Sequence, residues 1–174
     1  TLLRKQIQYN IAICQAGLQQ KWGASIGQLL TNSTADRTNV DIMACAFAAA
    51  GSDARMSGSP LPVIINSGSG NQGITITAPV YVYAKALQVT EEKMLRALLL
   101  GNLLSLYQKS LIGKLSAYCG AVSAGSAAGA SIAFLRGATV EQVSHAFANA
   151  VACVSGILCD GAKPSCAFKI ASSV

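Results

Sequence analysis

The chain has 174 residues, of which 52% are hydrophobic and only 11% are charged. This length suits one compact domain, and the charged fraction lies well below the roughly 25% of an average soluble domain. The net charge of +6 comes from scattered Lys and Arg residues, which argues against a nucleic-acid-binding surface and favours a small anionic substrate. With so few charges, we expect part of the surface to be covered by a second copy, as in a homodimer, or by a missing segment of the same protein.

A membrane-spanning segment has to be considered for residues 115–135, which contain no charged side chain. The stretch is rich in Ser, Gly and Ala and poor in Leu and Ile, and we expect Gly120 and Gly125 to break it into two pieces. It therefore predicts a buried soluble segment, with no membrane span.

The ends of the sequence and its six cysteines suggest where the protein works. Thr1 and Val174 both fall inside helical patterns, so we interpret the chain as the C-terminal-side fragment of a longer protein, with an N-terminal segment missing. No secretory signal is present, which predicts a cytoplasmic location. In that reducing compartment, clustered thiols indicate metal binding or catalysis, and disulfides are not expected.

The first half of the chain predicts two helices and a loop. Apolar residues at helical spacing give a first helix that fades by Gly23, namely Leu3, Ile7, Ile11, Cys14 and Leu18. Thr34 to Arg37 is a start signal for a second helix, which stops near Gly51 and has Val40, Met43, Ala44, Phe47 and Ala48 on one face. Residues 57–73 are rich in Gly, Ser and Pro and predict a long loop, usually a functional feature.

The second half predicts further helices. A mixed helix over Ile74 to Leu87 tolerates Pro79 only near its start. Thr90 caps a helix whose part from Met94 to Tyr107 is apolar on nearly every side, which predicts a buried central helix. Gly137 and Ala138 form a tight turn before a helix that opens with a Thr139–Gln142 capping box; its inner face has Val143, Phe147, Ala150, Val151 and Val154. With a last helix over 167–174, the sequence predicts one all-α domain over 1–174, a compact bundle of about seven helices.

The six cysteines divide by context. Three lie inside apolar helical stretches and are interpreted as small buried hydrophobic residues, namely Cys14, Cys45 and Cys153. The other three, Cys119, Cys159 and Cys166, lie near helix ends, where free backbone N–H groups and nearby cations stabilise a thiolate. The cations close in sequence are Lys109, Lys114, Lys163 and Lys169.

Spacing alone does not decide the role of these three cysteines. A C-x6-C pair with a third cysteine forty residues upstream matches no standard zinc or ferredoxin pattern. Three thiolates on a four-iron cluster would leave one iron open to act as a Lewis acid on a substrate. The alternative is a non-catalytic helical scaffold with a structural metal or none.

A second candidate site is the loop segment NSGSGNQG. Its exposed backbone N–H groups and small polar side chains suit a carboxylate, although a flexible surface loop explains the residues equally well. The candidate substrate-binding residues are Asn66, Ser67, Gly68, Ser69, Gly70, Asn71 and Gln72. No P-loop lysine follows, and the single histidine, His145, is interpreted as a core or surface residue without a catalytic role.

Three segments resemble a known family: SGSGNQGITITAPVYVYAKAL, YQKSLIGKLSAYCG and CDGAKPSCAFKIASSV. From about Ala54 to Val174 the chain is similar to the L-cysteine desulfidase and L-serine dehydratase α-subunit family, and most similar to the desulfidase branch. The resemblance implies an oxygen-sensitive enzyme with a 4Fe-4S cluster and no pyridoxal phosphate. Such enzymes remove a β-substituent and ammonia from a small L-amino acid and leave pyruvate. The family's cluster ligands fall on Cys119, Cys159 and Cys166.

Charge and position suggest roles for other parts of the chain. The Asn66–Gln72 loop would hold the substrate's α-carboxylate, and Lys109 or Lys163 would lie near the anion. L-cysteine is favoured over L-serine, because the short C-x6-C turn resembles the desulfidase branch. That branch carries a further active-site cysteine upstream, in a Thr-Gly-Cys-Thr-Glu-Pro type segment. The present chain lacks it, so we expect this piece to be inactive alone.

Overall fold

A computed structural model of the chain describes residues 1–33, 36, 39–113 and 116–174. Within these ranges the backbone forms helices and two isolated β-bridges but no β-strand, which confirms the all-α prediction. These described ranges contain eight helices, one more than expected, because no helix was predicted over 26–33. They are α1 (Leu2–Gln19), α2 (Ile26–Ser33), α3 (Val40–Met56), α4 (Gly70–Ala86), α5 (Glu91–Ile112), α6 (Gly120–Leu135), α7 (Val140–Val154) and α8 (Ser165–Ala171).

The start of α3 differs from the predicted start signal. Of residues 34–37, only Asp36 is among the described residues, so that prediction lies largely outside them. The cap of α3 is Asn39, whose Oδ1 accepts hydrogen bonds from the backbone N–H groups of Asp41 (3.0 Å) and Ile42 (3.2 Å). An asparagine at this position satisfies two of the N–H groups that a helix start leaves unpaired.

The buried centre of the bundle is α4, which packs against α1, α3, α5 and α6. Every α4 residue over 70–80 is buried. The prediction that the segment Met94–Tyr107 is the central helix is wrong, because α5 buries only a narrow row and exposes several large apolar side chains. Those exposed side chains are Leu99, Leu103, Leu106, Tyr107 and Leu111. Within α4, Gly73 allows a close approach of the preceding loop, because a Cβ atom there would come 2.1 Å from the Ile64 carbonyl oxygen.

Two glycines that were expected to end helices lie inside them. Gly51 lies within α3, where a Cβ atom would come 2.7 Å from the Cys14 sulfur of α1. Gly125 lies within α6, where a Cβ atom would come 2.4 Å from the carbonyl oxygen of Ser173. Both predictions were wrong because these glycines serve close helix packing. No helix in the described ranges has both the length and the apolar character needed to cross a membrane.

The predicted loop is shorter than expected, because α4 begins at Gly70 and the loop ends at Ser69. Pro79 therefore lies in the middle of α4, and the expectation that it stands near a helix start is wrong. Proline has no N–H to donate to the carbonyl of Thr75, one turn earlier. The helix is buried over residues 70–80, and this tertiary packing compensates for the missing hydrogen bond.

The helix caps predicted in the second half of the chain are confirmed. Thr90 caps α5 through a hydrogen bond from the Lys93 backbone N–H, and Thr139 with Gln142 forms the predicted capping box. The expected inner face of α7 is only half-buried, and α7 contains no fully buried residue. Consequently the interpretation of the three helical cysteines as buried holds for Cys14 alone, because Cys45 is half-buried and Cys153 is exposed.

Asp53 ties α3 to the start of α2 from a position that is 1% exposed. Its Oδ2 accepts the backbone N–H of Gly27 at 3.1 Å, while its buried Oδ1 has no hydrogen-bond partner among the described residues. Burial raises the pKa of Asp53 above its ordinary value of 3.8, although the N–H groups of Gly27 and Ile26 lower it in part.

The raised pKa of Asp53 predicts a pH-dependent stability. The folded state binds this proton more tightly than the unfolded state, so the contribution of Asp53 is present at low pH and is lost as the pH rises through the folded-state pKa. Relative to wild type, Asp53→Asn is therefore expected to gain stability with increasing pH. Urea unfolding of both proteins across the acidic range measures this difference, and parallel pH profiles would contradict it.

Candidate functional site

The Gly/Ser/Pro-rich loop is held in place by a buried polar network. Asn10 of α1 binds both backbone groups of Ile64: its Nδ2 donates to the Ile64 carbonyl at 3.0 Å, and its Oδ1 accepts the Ile64 N–H at 2.8 Å. Asn66 donates to Asn102 Oδ1 of α5 at 2.9 Å and accepts from Ser105 at 3.0 Å. Asn66 is therefore occupied in anchoring the loop to α5.

The loop closes with a tight turn over Asn66–Ser69. The two end residues exchange backbone hydrogen bonds of 3.1 and 2.9 Å. Ser67 and Gly68 have φ values of 49° and 82°, as a type I′ turn requires at both central positions. Ser69 is then the N-cap residue of α4, so the turn delivers the first-turn N–H groups of α4 to the site.

A short antiparallel pairing aligns two of the candidate cysteines. Tyr118 and Leu158 form an isolated β-bridge. On either side of it, the Cys119 N–H donates to the Ile157 carbonyl at 3.2 Å, and the Cys159 N–H donates to the Ala117 carbonyl at 2.7 Å. Cys119 is also the N-cap residue of α6. The sequence did not predict this pairing. It brings two cysteines that are forty residues apart in the sequence onto neighbouring extended segments.

The third cysteine lies beside the same connection. Cys166, in the first turn of α8, contacts the Gly161 carbonyl through its sulfur at 3.5 Å. Lys169, one turn later, donates to the Leu158 carbonyl at 2.9 Å and to Asp160 Oδ1 at 2.5 Å. Lys169 therefore fastens the segment that carries Cys159 onto the helix that carries Cys166.

Removing the Lys169 contacts is expected to loosen the Cys159 segment. In Lys169→Met, hydrogen exchange at the Cys159 amide should become faster, because the Leu158 carbonyl and the Asp160 carboxylate lose their shared donor. Lys163→Met is the matched control: it removes a lysine of the same connection whose side chain forms no hydrogen bond or ion pair with the described residues. Equal exchange of the Cys159 amide in Lys169→Met and Lys163→Met would contradict this role of Lys169.

A related effect of pH is expected in the wild-type protein. The hydrogen bond from Lys169 lowers the pKa of Asp160, so the Cys159 segment should also loosen as the pH falls through that folded-state pKa.

Most of the candidate residues line one cavity of about 350 Å³. Eight sequence candidates line it: Gly68, Ser69, Asn71, Gln72, Lys109, Cys119, Cys159 and Cys166. Four other candidates, Asn66, Ser67, Gly70 and Lys163, are not among its lining residues. Lys163 is exposed, Lys114 lies outside the described residues, and His145 pairs on the surface with Glu141 at 3.8 Å.

The electrostatic environment of the cavity favours anions. The first turns of α4 and α6 both contribute lining residues, and helix N-termini carry partial positive charge. Lys109 is 7% exposed, and its side-chain amine has no hydrogen-bond or ion-pair partner among the described residues. Burial raises the pKa of the Cys119 thiol, while the N–H groups of Val122 and Ala121 and the charge of Lys169 lower it.

Two features of this cavity were not predicted from the sequence: the presence of Arg55 and the unpaired oxygen of the candidate residue Gln72. Arg55, from the last turn of α3, lines it and donates from Nη1 to Asn71 Oδ1 at 3.3 Å. Gln72 is 5% exposed, and its Oε1 has no hydrogen-bond partner in the described part of the chain. Gly120 makes room for it, because a Cβ there would come 2.5 Å from Gln72 Nε2. No local sequence signal marks Arg55, which reaches the cavity only through the packing of α3 on α4.

The chemistry of the three thiols suits an iron–sulfur cluster, because cysteine thiolates are the usual ligands of such clusters. All three open into the same cavity. In the ranges that the structure describes, no group of three or more Cys, His, Asp or Glu side chains is arranged to hold a metal ion. The three thiols therefore match an iron–sulfur cluster in their chemistry, although their positions in the described ranges are not those of metal ligands.

Comparison with known proteins identifies the family. A model of the serine dehydratase alpha chain matches residues 1–174. The chain belongs to the serine dehydratase alpha chain family. Among its relatives, a UPF0597 protein of Desulfitobacterium hafniense is 56% identical over 173 residues, which cover 99% of this chain and 40% of the relative. A UPF0597 protein of Lachnoclostridium phytofermentans is 55% identical over 173 residues, with 99% and 41% coverage.

The family match confirms the resemblance that the three sequence segments indicated. A more distant relative, a UPF0597 protein of Treponema denticola, is 46% identical over 176 residues. The chain spans about 40% of the length of these serine dehydratase alpha chain relatives. No solved structure matches the chain.

Proposed function

We propose that this chain carries the cluster-binding part of an enzyme that eliminates the β-substituent of a small L-amino acid. L-cysteine is the favoured substrate, giving pyruvate, ammonia and sulfide, and L-serine would lose water in its place. The single observation that carries the proposal is the cavity that Cys119, Cys159 and Cys166 share with the α4 start and Lys109. Membership of the serine dehydratase alpha chain family supports the same reaction class.

Cys119, Cys159 and Cys166 are the residues that would hold a 4Fe-4S cluster, with no pyridoxal phosphate. When bound, this cluster supplies a Lewis acid that makes the β-substituent a better leaving group. The three thiols and the polar first turn of α4 line the same cavity. A substrate bound there would have its β-carbon toward the sulfurs and its α-carbon toward α4.

Other residues of the cavity would bind and orient the two charged groups of an amino acid. The first-turn N–H groups of α4 suit the α-carboxylate. Gln72 has a buried carbonyl oxygen without a partner in the described chain, and it suits the α-ammonium group as a hydrogen-bond acceptor. Lys109 adds a buried positive charge that attracts an anionic substrate. We assign no role to Lys163, because it does not line the cavity.

The preference for cysteine rests on the softness of its sulfur. A thiolate is a better ligand than a hydroxyl group for iron in a thiolate-rich site. The relatives are much longer than this chain, and we propose that a further segment of the complete protein contributes to the site. The activity of the isolated chain is therefore expected to be low.

The reaction is tested by product analysis of protein in which the cluster has been reconstituted without oxygen. Pyruvate and ammonia from both substrates, with sulfide from L-cysteine and a higher kcat/KM for L-cysteine, would support the proposal. A chain extended to the length of its relatives serves as the second protein, since the isolated chain is expected to be weakly active. Pyruvate from L-serine alone would overturn the cysteine preference, and no pyruvate from the extended, cluster-loaded protein would overturn the proposed reaction.

A further inference from the structure

We propose that Arg55 binds the substrate's α-carboxylate and thereby makes the site specific for amino acids with a free carboxylate group. The inference rests on the proposed function, which identifies the cavity as the substrate site. Arg55 lies in the last turn of α3 and lines this cavity together with the first turn of α4. It comes from a different element than the loop, and no sequence motif assigns it a role.

The guanidinium group of Arg55 has free hydrogen-bonding capacity. Within the described residues its side chain makes one hydrogen bond, from Nη1 to Asn71 Oδ1 at 3.3 Å, and no ion pair. A guanidinium group has five N–H donors in a planar fork that matches both oxygens of a carboxylate. Asn71 therefore orients the group and leaves most of its donors available to a ligand in the cavity.

The backbone of α4 is shaped to accept the arginine side chain. A Cβ atom at Gly70 would come 2.4 Å from Arg55 Nε and 2.9 Å from its Cζ. The guanidinium group thus lies directly against the first residue of α4, where the N–H groups of a helix start are unpaired. A carboxylate at this point would meet the arginine fork and the helix N-terminus together, and both favour negative charge.

A second and independent feature points to an amino-acid ligand in the same place. Gln72, two residues after Gly70, lines the cavity, and its buried Oε1 has no hydrogen-bond partner within the described part of the chain. An α-amino acid carries an ammonium group one carbon away from its carboxylate. The pairing of an arginine fork with a nearby acceptor therefore matches the two charged groups of a zwitterion. The side of the cavity that the three cysteines line is then left for the β-substituent.

The test compares a carboxylate ligand with its amide in cluster-loaded protein. L-alanine and L-alaninamide have no β-leaving group, so their binding can be measured by calorimetry without turnover. Arg55→Met is expected to weaken L-alanine binding by about 10- to 100-fold, the range for a hydrogen-bonded charge, and to leave L-alaninamide binding unchanged. The L-alanine affinity of Arg55→Lys should lie between those of wild type and Arg55→Met, because lysine keeps the positive charge but lacks the planar fork of N–H donors. Arg96→Met, on the exposed face of α5, is the control and should bind both ligands as wild type does.

The outcomes separate this inference from the proposed function. If wild type holds its cluster and binds L-alanine, but Arg55→Met and Arg55→Lys bind it equally well, Arg55 is not the carboxylate residue and the proposed reaction stands. Equal weakening of L-alanine and L-alaninamide in both variants would also overturn the inference, since it indicates a general disturbance of the cavity. A wild-type protein that holds the cluster and binds neither ligand would overturn both.

Discussion

Replacing Gly17 with alanine is expected to destabilise the fold by about 3 kcal/mol, at the upper end of the usual cost of overpacking. Gly17 lies at the crossing of α1 and α3, and a Cβ atom there would come 2.0 Å from the carbonyl oxygen of Ala50. The obstructing atom belongs to the backbone, so no side-chain rotation can relieve the contact, and the two helices must separate. The midpoint of urea unfolding measures the loss.

The control for this substitution is Gly129→Ala in α6. Gly129 is also a helix-interior glycine, but a Cβ atom there would meet nothing within 4 Å. The same chemical change should stabilise the protein at this position, by about 0.5–1 kcal/mol, because alanine loses less backbone entropy in a helix. A Gly17→Ala protein as stable as Gly129→Ala would contradict the close crossing of α1 and α3.

Replacing any one of the three cavity cysteines with serine is expected to lower bound iron after anaerobic reconstitution to near background. A serine hydroxyl is a poor ligand for iron in a sulfur-rich cluster, so two remaining thiols would not retain it. Bound iron and acid-labile sulfide per chain measure the effect for Cys119→Ser, Cys159→Ser and Cys166→Ser.

The matched control for these variants is Cys153→Ser. Cys153 is exposed, as Cys159 is, but it lies on α7 and does not line the cavity. It should therefore take up as much iron as wild type. Equal loss of iron in Cys153→Ser and Cys159→Ser would indicate non-specific binding of iron to exposed thiols, and would contradict the assignment of the ligands.

Signals within one helical turn were predictable from the sequence, whereas signals that depend on a partner helix were not. The caps at Thr90 and Thr139 involve backbone groups three residues away, so their sequence patterns sufficed. Gly51 and Gly125 were interpreted from their low helix propensity, although contacts with Cys14 and Ser173 decide their place inside helices. The Leu-rich α5 was expected in the centre for its hydrophobicity, yet the central helix is α4, which packs against α1, α3, α5 and α6.

The candidate site was predictable where its residues share an unusual local context. The three cysteines stood out by their helix-end positions, and the structure brings all three to one cavity. Asn66 belongs to the same polar loop as Gln72, but its partners on α5 cannot be read from neighbouring residues, so its anchoring role was missed. Arg55 and the backbone pairing around Tyr118 depend on tertiary contacts alone.

Whether Cys119, Cys159 and Cys166 hold a cluster is decided by the iron and sulfide content of the wild-type chain after anaerobic reconstitution. The Cys119/Cys159/Cys166→Ser triple variant is the reference, and circular dichroism of both proteins shows that they are folded. We expect a brown wild-type protein with about four irons and four sulfides per chain, which the triple variant does not form. A folded wild-type chain, extended to the length of its relatives, that takes up no more iron than the triple variant would contradict it.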